Sequence, residues 1–384
     1  MSTSLRGIAQ LSLRGRRVFL RTDLNVPIRD GRVRDDLRIR ASMATLEHLR
    51  KEGARVIVAS HLGRPGGERV EGLSLRPVAE VLGVPLAPDC IGPDTEAVVE
   101  GLRPGEAILL ENLRFHPGET ANDAGFAGSL ARLADCYVND AFGTAHRAHA
   151  STVGLAERCN DRAAGLLLER EVAALSRLRD SPEHPYVCIL GGAKVSDKLA
   201  VLEALTRRAD VIAIGGAMAY TFLLARGEPV GRSLVESDRV EAARRLLDGP
   251  AEVLLPLDHV VAPSPEQAND AKIVDRIPDG LMGLDIGPRT IDRFEVPISS
   301  AANLFWNGPL GLFEQAPFDR GTRAIGEALC ASPGYSVIGG GDSLAAIRAA
   351  GLADRIDHLS TGGGASLEFI QGRDLPGLRV LEAP

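Results

Sequence analysis

The sequence predicts an α/β fold: two doubly wound parallel-sheet domains of Rossmann-like type, joined by a helix, with a site in the cleft between them. Three observations carry this expectation. At 384 residues the chain exceeds what one hydrophobic core usually supports, so two domains of roughly 150 to 200 residues are expected. Short apolar runs alternate with amphipathic segments from end to end, the pattern of parallel strands covered by helices on both faces. Near the middle, the helical stretch "AAGLLLEREVAALSRLRD" is followed by the breaker "SPEHP" at 181–185.

In chain order, "RRVFLR", "ARVIVAS", "AILLEN" and "DCYVND" are the expected strands of the first half. "YVCILGG", "DVIAIGG", "EVLLP", "ANLFWNG", "YSVIGGG" and "DHLSTGG" are those of the second. Between them lie helices such as "DLRIRASMATLEHLRKEG" and "DKLAVLEALTRRA". The boundaries that follow are a first domain over 1–170, a connecting helix over 171–185 and a second domain over 186–370. Ligands of such sheets bind at the carboxyl ends of the strands. Those ends carry Arg and His in the first half and glycines in the second, which points to a site shared by both domains.

Composition narrows the function classes. With 45% hydrophobic and 25% charged residues the chain reads as an ordinary globular protein, and its net charge of −7 argues against a broad nucleic-acid surface. Cys90, Cys136, Cys159, Cys188 and Cys330 are odd in number and show no CxxC pairing, which suits free thiols in a reducing cytosol without a disulfide framework or structural zinc site. The first 22 residues contain Arg and Ser and no acid, as transit peptides do. "RRVFLRTDLNVP" already reads as a strand and loop of the folded protein, so a mature N-terminus is expected. No apolar stretch reaches the ~18 to 20 residues of a membrane span, and a cytoplasmic protein is expected.

Four glycine-rich turns stand at Gly191–Gly192, Gly215–Gly216, Gly339–Gly341 and Gly362–Gly364. None begins a GxGxxG fingerprint: Leu344 and Leu367 occupy the third position after Gly339/Gly341 and Gly362/Gly364. GK[ST], GxSxG and HExxH are also absent. A dinucleotide-dependent dehydrogenase therefore lacks its signature. In "VIGGGDSLAAI" the apolar run ends a strand and a helix is expected from Asp342 or Ser343, so the turn presents backbone N–H groups and a helix dipole to an anion. Asp342 has two readings, N-cap or ligand to a metal carried by the anion. In "GGAKVSDK" a helix is expected from near Ser196, with Lys198 in its first turn and Lys194 in the loop. Helix starts disfavour cations, so both lysines make sense when an anion compensates; solvated lysines are the plain alternative.

In the first half, "RTDLNVP" places Asp23 and Asn25 just past a strand, "SHLGRPGG" offers His61 and Arg64, and "ENLRF" offers Arg114. "GTAHRAHAS" adds His146, Arg147 and His149, and Arg38 falls at the start of a helix. Single arginines are usually solvated, but a cluster at successive strand ends suits a small phosphorylated or carboxylated molecule. His146 and His149 could be a metal pair, but no third ligand at suitable spacing accompanies them, so anion contact or structural hydrogen bonding is the favoured reading.

The motifs "RTDLNVP", "SHLGRP", "ENLRF", "NDAFGTAHRAHAS", "GGAKVSDK", "NGPLGLFE", "GGGDS" and "STGGGAS" occur in the order and about the spacing of phosphoglycerate kinases, and the chain resembles that family from about Gly15 to Ile370. The resemblance implies a monomeric, cytoplasmic two-domain hinge enzyme of glycolysis. It would transfer a phosphoryl group between ATP and 3-phosphoglycerate, giving ADP and 1,3-bisphosphoglycerate, with Mg²⁺ and with no nucleic-acid or membrane partner. By motif, Asp23, Asn25, Arg38, His61, Arg64, Arg114 and Arg147 resemble the phosphoglycerate side. Lys198, Gly283, Glu314, Gly340, Gly341, Asp342 and Ser343 resemble the nucleotide side, with Asp342 on the metal. Arg38 and Lys194 would meet at the transferring group beside the helix starts at Gly341 and Gly364, and the last residues, about 371–384, would return to the first domain. Three departures from the family pattern, Thr22, "MAT" at 43–45 and Asp357, concern packing alone.

Overall fold

The computed structural model describes residues 5–382. They fall into two compact units: one runs to Ala173 and takes in the chain from Asp374 onward, and the other is Ala174–Arg373. The first unit holds β1 (Arg17–Thr22), β2 (Arg55–Ala59), β3 (Ala107–Leu109), β4 (Cys136–Asp140) and β5 (Arg162–Ala164). They are parallel and ordered β3-β2-β1-β4-β5, so the winding direction reverses at β1. The central strands are buried on both faces, which is why they read as unbroken apolar runs. Helix Leu37–Lys51 turns Ile39, Leu46 and Leu49 into the core formed by Val18, Leu20, Val56 and Val58.

The second unit repeats the design with β6 (Tyr186–Leu190), β7 (Val211–Ile214), β8 (Glu252–Leu254), β9 (Asn303–Asn307), β10 (Tyr335–Gly339) and β11 (His358–Ser360). Their order is β8-β7-β6-β9-β10-β11, all parallel, and the reversal lies between β6 and β9. Three antiparallel strands, His259–Ala262, Lys272–Val274 and Met282–Ile286, form a small second sheet. This sheet and β5 are short and weakly patterned, and neither is expected from the sequence. No helix among the described residues is long and apolar enough to cross a membrane.

The connecting helix is Leu166–Asp180, three residues shorter at its start than the sequence pattern indicates, because Ala163 and Ala164 belong to β5. Asp140, at the end of β4, sets this start. Its buried Oδ1 accepts the N–H groups of Leu167 at 2.9 Å and Leu168 at 3.1 Å, two of the donors a helix start leaves unpaired. Thr45 accepts the Leu166 N–H at 3.0 Å, so the Thr of "MAT" has a structural use. Near the C-terminus, Gly377 donates to the Ala145 carbonyl at 2.8 Å and accepts from Asn139 Nδ2 at 3.3 Å, both in the first unit. The Asp357 departure is also accommodated: its Oδ2 accepts the N–H and Oγ of Ser336, each at 2.8 Å. Replacing Asp140 by Ala removes the acceptor at the start of Leu166–Asp180. It is expected to lower stability by about 2 kcal/mol, read as a lower urea midpoint with unchanged slope.

Candidate functional site

In the first unit the carboxyl ends of β1 to β4 release the loops carrying the basic residues, and hydrogen bonds join these loops. Asn25 accepts the Gly63 N–H on Oδ1 at 2.9 Å and Arg38 Nη1 on its carbonyl oxygen at 2.7 Å. Arg38 also stands 3.7 Å from Asp23 Oδ1. Arg114 donates Nη1 to the Gly63 carbonyl at 2.7 Å. Arg64, Arg114 and Arg147 line one pocket of about 240 Å³ with Gly66, Gly67 and Thr120. Three guanidinium groups around so small a space make a site for a compact multiply charged anion.

The same field governs the histidines. His61 Nδ1 lies 3.2 Å from Arg21 Nη2, which can only donate, so the imidazole accepts there and is neutral. Burial, then Arg21, Arg114 and Arg38, holds its pKa well below the ordinary value. Burial and the neighbouring arginines push His149 down to about 4, and burial with Arg147 and Arg21 pushes Arg114 down to about 10. His149 also lies 3.8 Å from Glu119, the buried carboxylate that accepts Ser151 N and Oγ. The structure thus brings Asp23, Asn25, Arg38, His61, Arg64, Arg114 and Arg147 to one edge of one sheet.

In the second unit the loops after β6, β9 and β10 interlock. Lys198 Nζ donates to Asn307 Oδ1 and, at 3.2 Å, to the Asn307 carbonyl. Asn307 Nδ2 donates to the Gly339 carbonyl at 2.8 Å, and Gly308 N–H donates to Ser343 Oγ at 2.6 Å. Burial lowers the Lys198 pKa to about 8 against the pull of Asp197 and Asp342. Lys194 and Asp342 are exposed. Two helix starts differ from the sequence reading. The first helix is Leu199–Leu205, because Ser196 is held in a turn by Glu236 at 3.0 and 2.5 Å, so Lys198 occupies the N-cap position. The helix after β10 is Gly341–Ala349 with Gly340 at the N-cap, so Asp342 lies in the first turn and is not the cap. Ser343 points inward to Gly308. Gly283 and Glu314 belong to the antiparallel sheet and the loop paired with it through Leu312 N–H to the Leu284 carbonyl at 2.9 Å. Gly283 is buried where a Cβ would overlap the Tyr220 ring, and Glu314 is exposed.

The glycine turns separate into two kinds. A Cβ on Gly191 would overlap the Pro309 carbonyl, and one on Gly215 would come within 2.6 Å of Leu310, so these turns are explained by loop packing. At Gly341 and Gly364 a Cβ would meet no described atom within 4 Å, and neither backbone lies in the left-handed region. Packing and conformation therefore do not require glycine there, and both helix starts leave room for the close approach of another group to the backbone.

The profile of the phosphoglycerate kinase family matches residues 8–373. The chain belongs to the phosphoglycerate kinase family. It is 54% identical to the phosphoglycerate kinase of Anaeromyxobacter dehalogenans strain 2CP-1, over 99% of this chain and 100% of that one. It is 52% identical to that of Rubrobacter xylanophilus, over 98% of each. The solved phosphoglycerate kinase of Coxiella burnetii superimposes with a TM-score of 0.88 at 39% identity, and that of Pyrococcus horikoshii OT3 with 0.87 at 33%, each covering 98% of both chains. The reaction of phosphoglycerate kinase is the reversible transfer of a phosphoryl group between ATP and the carboxylate of 3-phosphoglycerate in glycolysis, with ATP/ADP and Mg²⁺.

The sequence reading of this phosphoglycerate kinase overlooked residues that hold the site in place. Arg21, wholly buried in β1, donates Nε to Ser151 Oγ at 2.8 Å. Asn112 accepts the N–H groups of Leu62 and Arg114, each at 3.1 Å, and donates to the Leu62 carbonyl at 2.8 Å. Asn307 fills the same office in the second unit. The available signal was a polar residue inside an apolar run: "VFLRT", "LLENL", "LFWNG". Because the folded pKa of His149 lies below the ordinary 6.5, the folded protein binds fewer protons than the unfolded chain as pH falls through that window, and this group withdraws stability there. Its Hε1 resonance is expected to stay at the neutral position from pH 8 to pH 5 in an NMR titration. A midpoint above pH 6 would place it outside the arginine field.

Proposed function

We propose that residues 1–170 bind the phosphoglycerate and residues 186–370 the nucleotide, with 171–185 acting as hinge, in a monomeric cytoplasmic enzyme that needs no nucleic acid or membrane. The observation that carries this reading is the pocket of Arg64, Arg114 and Arg147, with Asp23, Asn25, Arg38 and His61 on the same sheet edge. It supports a phosphate group in the arginine pocket, with Asp23 and Asn25 oriented toward the remaining polar groups of a short substrate. On the nucleotide side, Lys198, Gly340 and Gly341 face the phosphates, with Gly283 and Glu314 assigned to the rest of the nucleotide. Ser343 holds the turn in shape. Asp342 offers one exposed carboxylate beside a phosphate-binding turn, the hard-oxygen donor set that Mg²⁺ shares with phosphate oxygens. Bound there, Mg²⁺ supplies neutralisation of phosphate charge.

The acceptor carboxylate is already an anion, so no general base is required. Arg38, Lys194 and the helix starts at Gly341 and Gly364 serve by positioning and by stabilising charge on the group in transit. Hinge closure with both ligands bound keeps water from the acyl phosphate. Arg38→Ala and Lys194→Ala are each expected to lower kcat by about 10²- to 10³-fold with little change in KM. Arg114→Ala should mainly raise KM for 3-phosphoglycerate. Near-normal turnover of Lys194→Ala in a coupled ATP-formation assay would remove its transition-state role.

The pKa of Lys198 adds a pH test. Phosphates favour its charged form, so the pKa rises on binding, and ADP affinity is level below pH 8 and falls as pH climbs past it. Lys198→Arg, charged throughout, should flatten that fall. Titration with ADP, followed by fluorescence of Trp306, the chain's one tryptophan, reads both curves.

A further inference from the structure

We propose that Asp89, Cys90 and His116 form a binding site for a divalent transition metal of the zinc class, apart from the phosphoryl-transfer residues. A carboxylate oxygen, the thiol sulfur and an imidazole nitrogen of these residues all lie within 4.8 Å of one another. They come from two segments fixed to β3. Residues 85–90 run beside it, with Ala87 N–H on the Leu109 carbonyl at 2.7 Å, and His116 follows the turn Leu113–Phe115 just after it. Each group is held. His116 stacks on Phe126 with ring centroids 4.9 Å apart, and its Nε2 is 2.7 Å from Asp89 Oδ1. Cys90 Sγ donates to the Glu111 carbonyl at 2.9 Å, and Thr95 Oγ1 donates to the Asp89 carbonyl at 3.2 Å. Cys90 is buried while Asp89 and His116 are partly exposed, so an ion enters from solvent and meets the sulfur last.

Zinc takes sulfur at about 2.3 Å and nitrogen or oxygen at about 2.0 to 2.2 Å, which spaces tetrahedral donors roughly 3.3 to 3.8 Å apart. The donors lie within 4.8 Å of one another, so binding draws the wider pairs in by up to about 1 Å and opens the 2.7 Å His116–Asp89 contact by less than about 1 Å. One thiolate, one imidazole and one carboxylate select zinc-class ions over Mg²⁺, which avoids sulfur. The lack of paired cysteines excludes a four-cysteine site and leaves this mixed one open. On binding, the Cys90 S–H bond breaks with its electron pair left on sulfur, the metal–sulfur bond forms, and the proton passes to solvent; no oxidation state changes. Water completes the fourth position. Burial raises the Cys90 pKa well above its ordinary value, so affinity increases with pH.

Co²⁺ titration of the purified full-length enzyme tests the site. One equivalent should give a near-ultraviolet thiolate-to-cobalt charge-transfer band and visible bands of tetrahedral Co²⁺, with release of about one proton, and Zn²⁺ should erase both bands. Co²⁺ at an all-oxygen Mg²⁺ site gives only weak octahedral bands and no sulfur band. Cys90→Ser should abolish the charge-transfer band, and His116→Gln should weaken Co²⁺ binding by about tenfold or more. Both variants should keep phosphoryl-transfer turnover without added metal beyond Mg²⁺, which shows them folded. If Cys90→Ser does not fold, the partly exposed His116→Gln decides. The proposal fails if the wild type shows no sulfur band at saturating Co²⁺, if Cys90→Ser keeps it, or if His116→Gln binds Co²⁺ as tightly as the wild type.

Discussion

Parallel pairing is the constraint on which the rest depends. When every strand of a sheet runs the same way, every strand ends on the same edge, and the following loops gather there however far apart they are in sequence. Asp23, His61, Arg114 and Arg147 follow four different strands of the first sheet, and the order β3-β2-β1-β4-β5 puts those strand ends side by side. The same rule brings Lys198, after β6, to Asn307 at the end of β9, because the chain reverses its winding between those two strands. An antiparallel sheet would divide these loops between two edges, and neither cluster would form.

Gathering cations on one edge raises an electrostatic problem, and the first unit meets it with few carboxylates. Arg21 is wholly buried and Arg114 nearly so, yet their hydrogen bonds run to Ser151, to the Thr22 and Gly63 carbonyls and to a neutral His61. Two buried acids lie close to this group, Glu119, which is engaged with Ser151, and Asp23, 3.7 Å from Arg38. Holding His61 and His149 neutral keeps further positive charge out of the cluster. What remains is a pair of desolvated guanidinium groups, Arg21 and Arg114, oriented by backbone carbonyls and neutral partners, with Arg38, Arg64 and Arg147 more open to solvent.

Much of this was legible in the sequence, for physical reasons. Most of the parallel strands are buried apolar runs, so ten of the eleven could be read directly, β8 and β11 being only partly buried, while β5, "RAA", has too little apolar content to register. The small antiparallel sheet was missed because two of its three strands are largely exposed or irregularly buried. Motif residues at strand ends could be named, but not the groups that orient them. Arg21, Asn112 and Asn307 act through partners dozens of residues away, and nothing local in "VFLRT" or "LLENL" identifies those partners. Helix starts shifted by a few residues for the same reason: Asp140, Thr45 and Glu236 decide them from a distance.

The two lysines of "GGAKVSDK" show how far apart two neighbouring residues of one type can stand. Lys198 is half-buried, pinned to Asn307 and partly desolvated, so it is pre-positioned for a group that stays bound throughout a reaction. Lys194 is exposed. An interaction that accelerates a reaction must be stronger in the transition state than before it, so a cation already paired or saturated by its own protein has less left to give. In the proposed site, Lys198 therefore suits ground-state phosphate binding and Lys194 the charge that develops in transit. The glycines divide in the same way: Gly191 and Gly215 are consumed by the protein's own packing, whereas Gly341 and Gly364 leave open space at their helix starts.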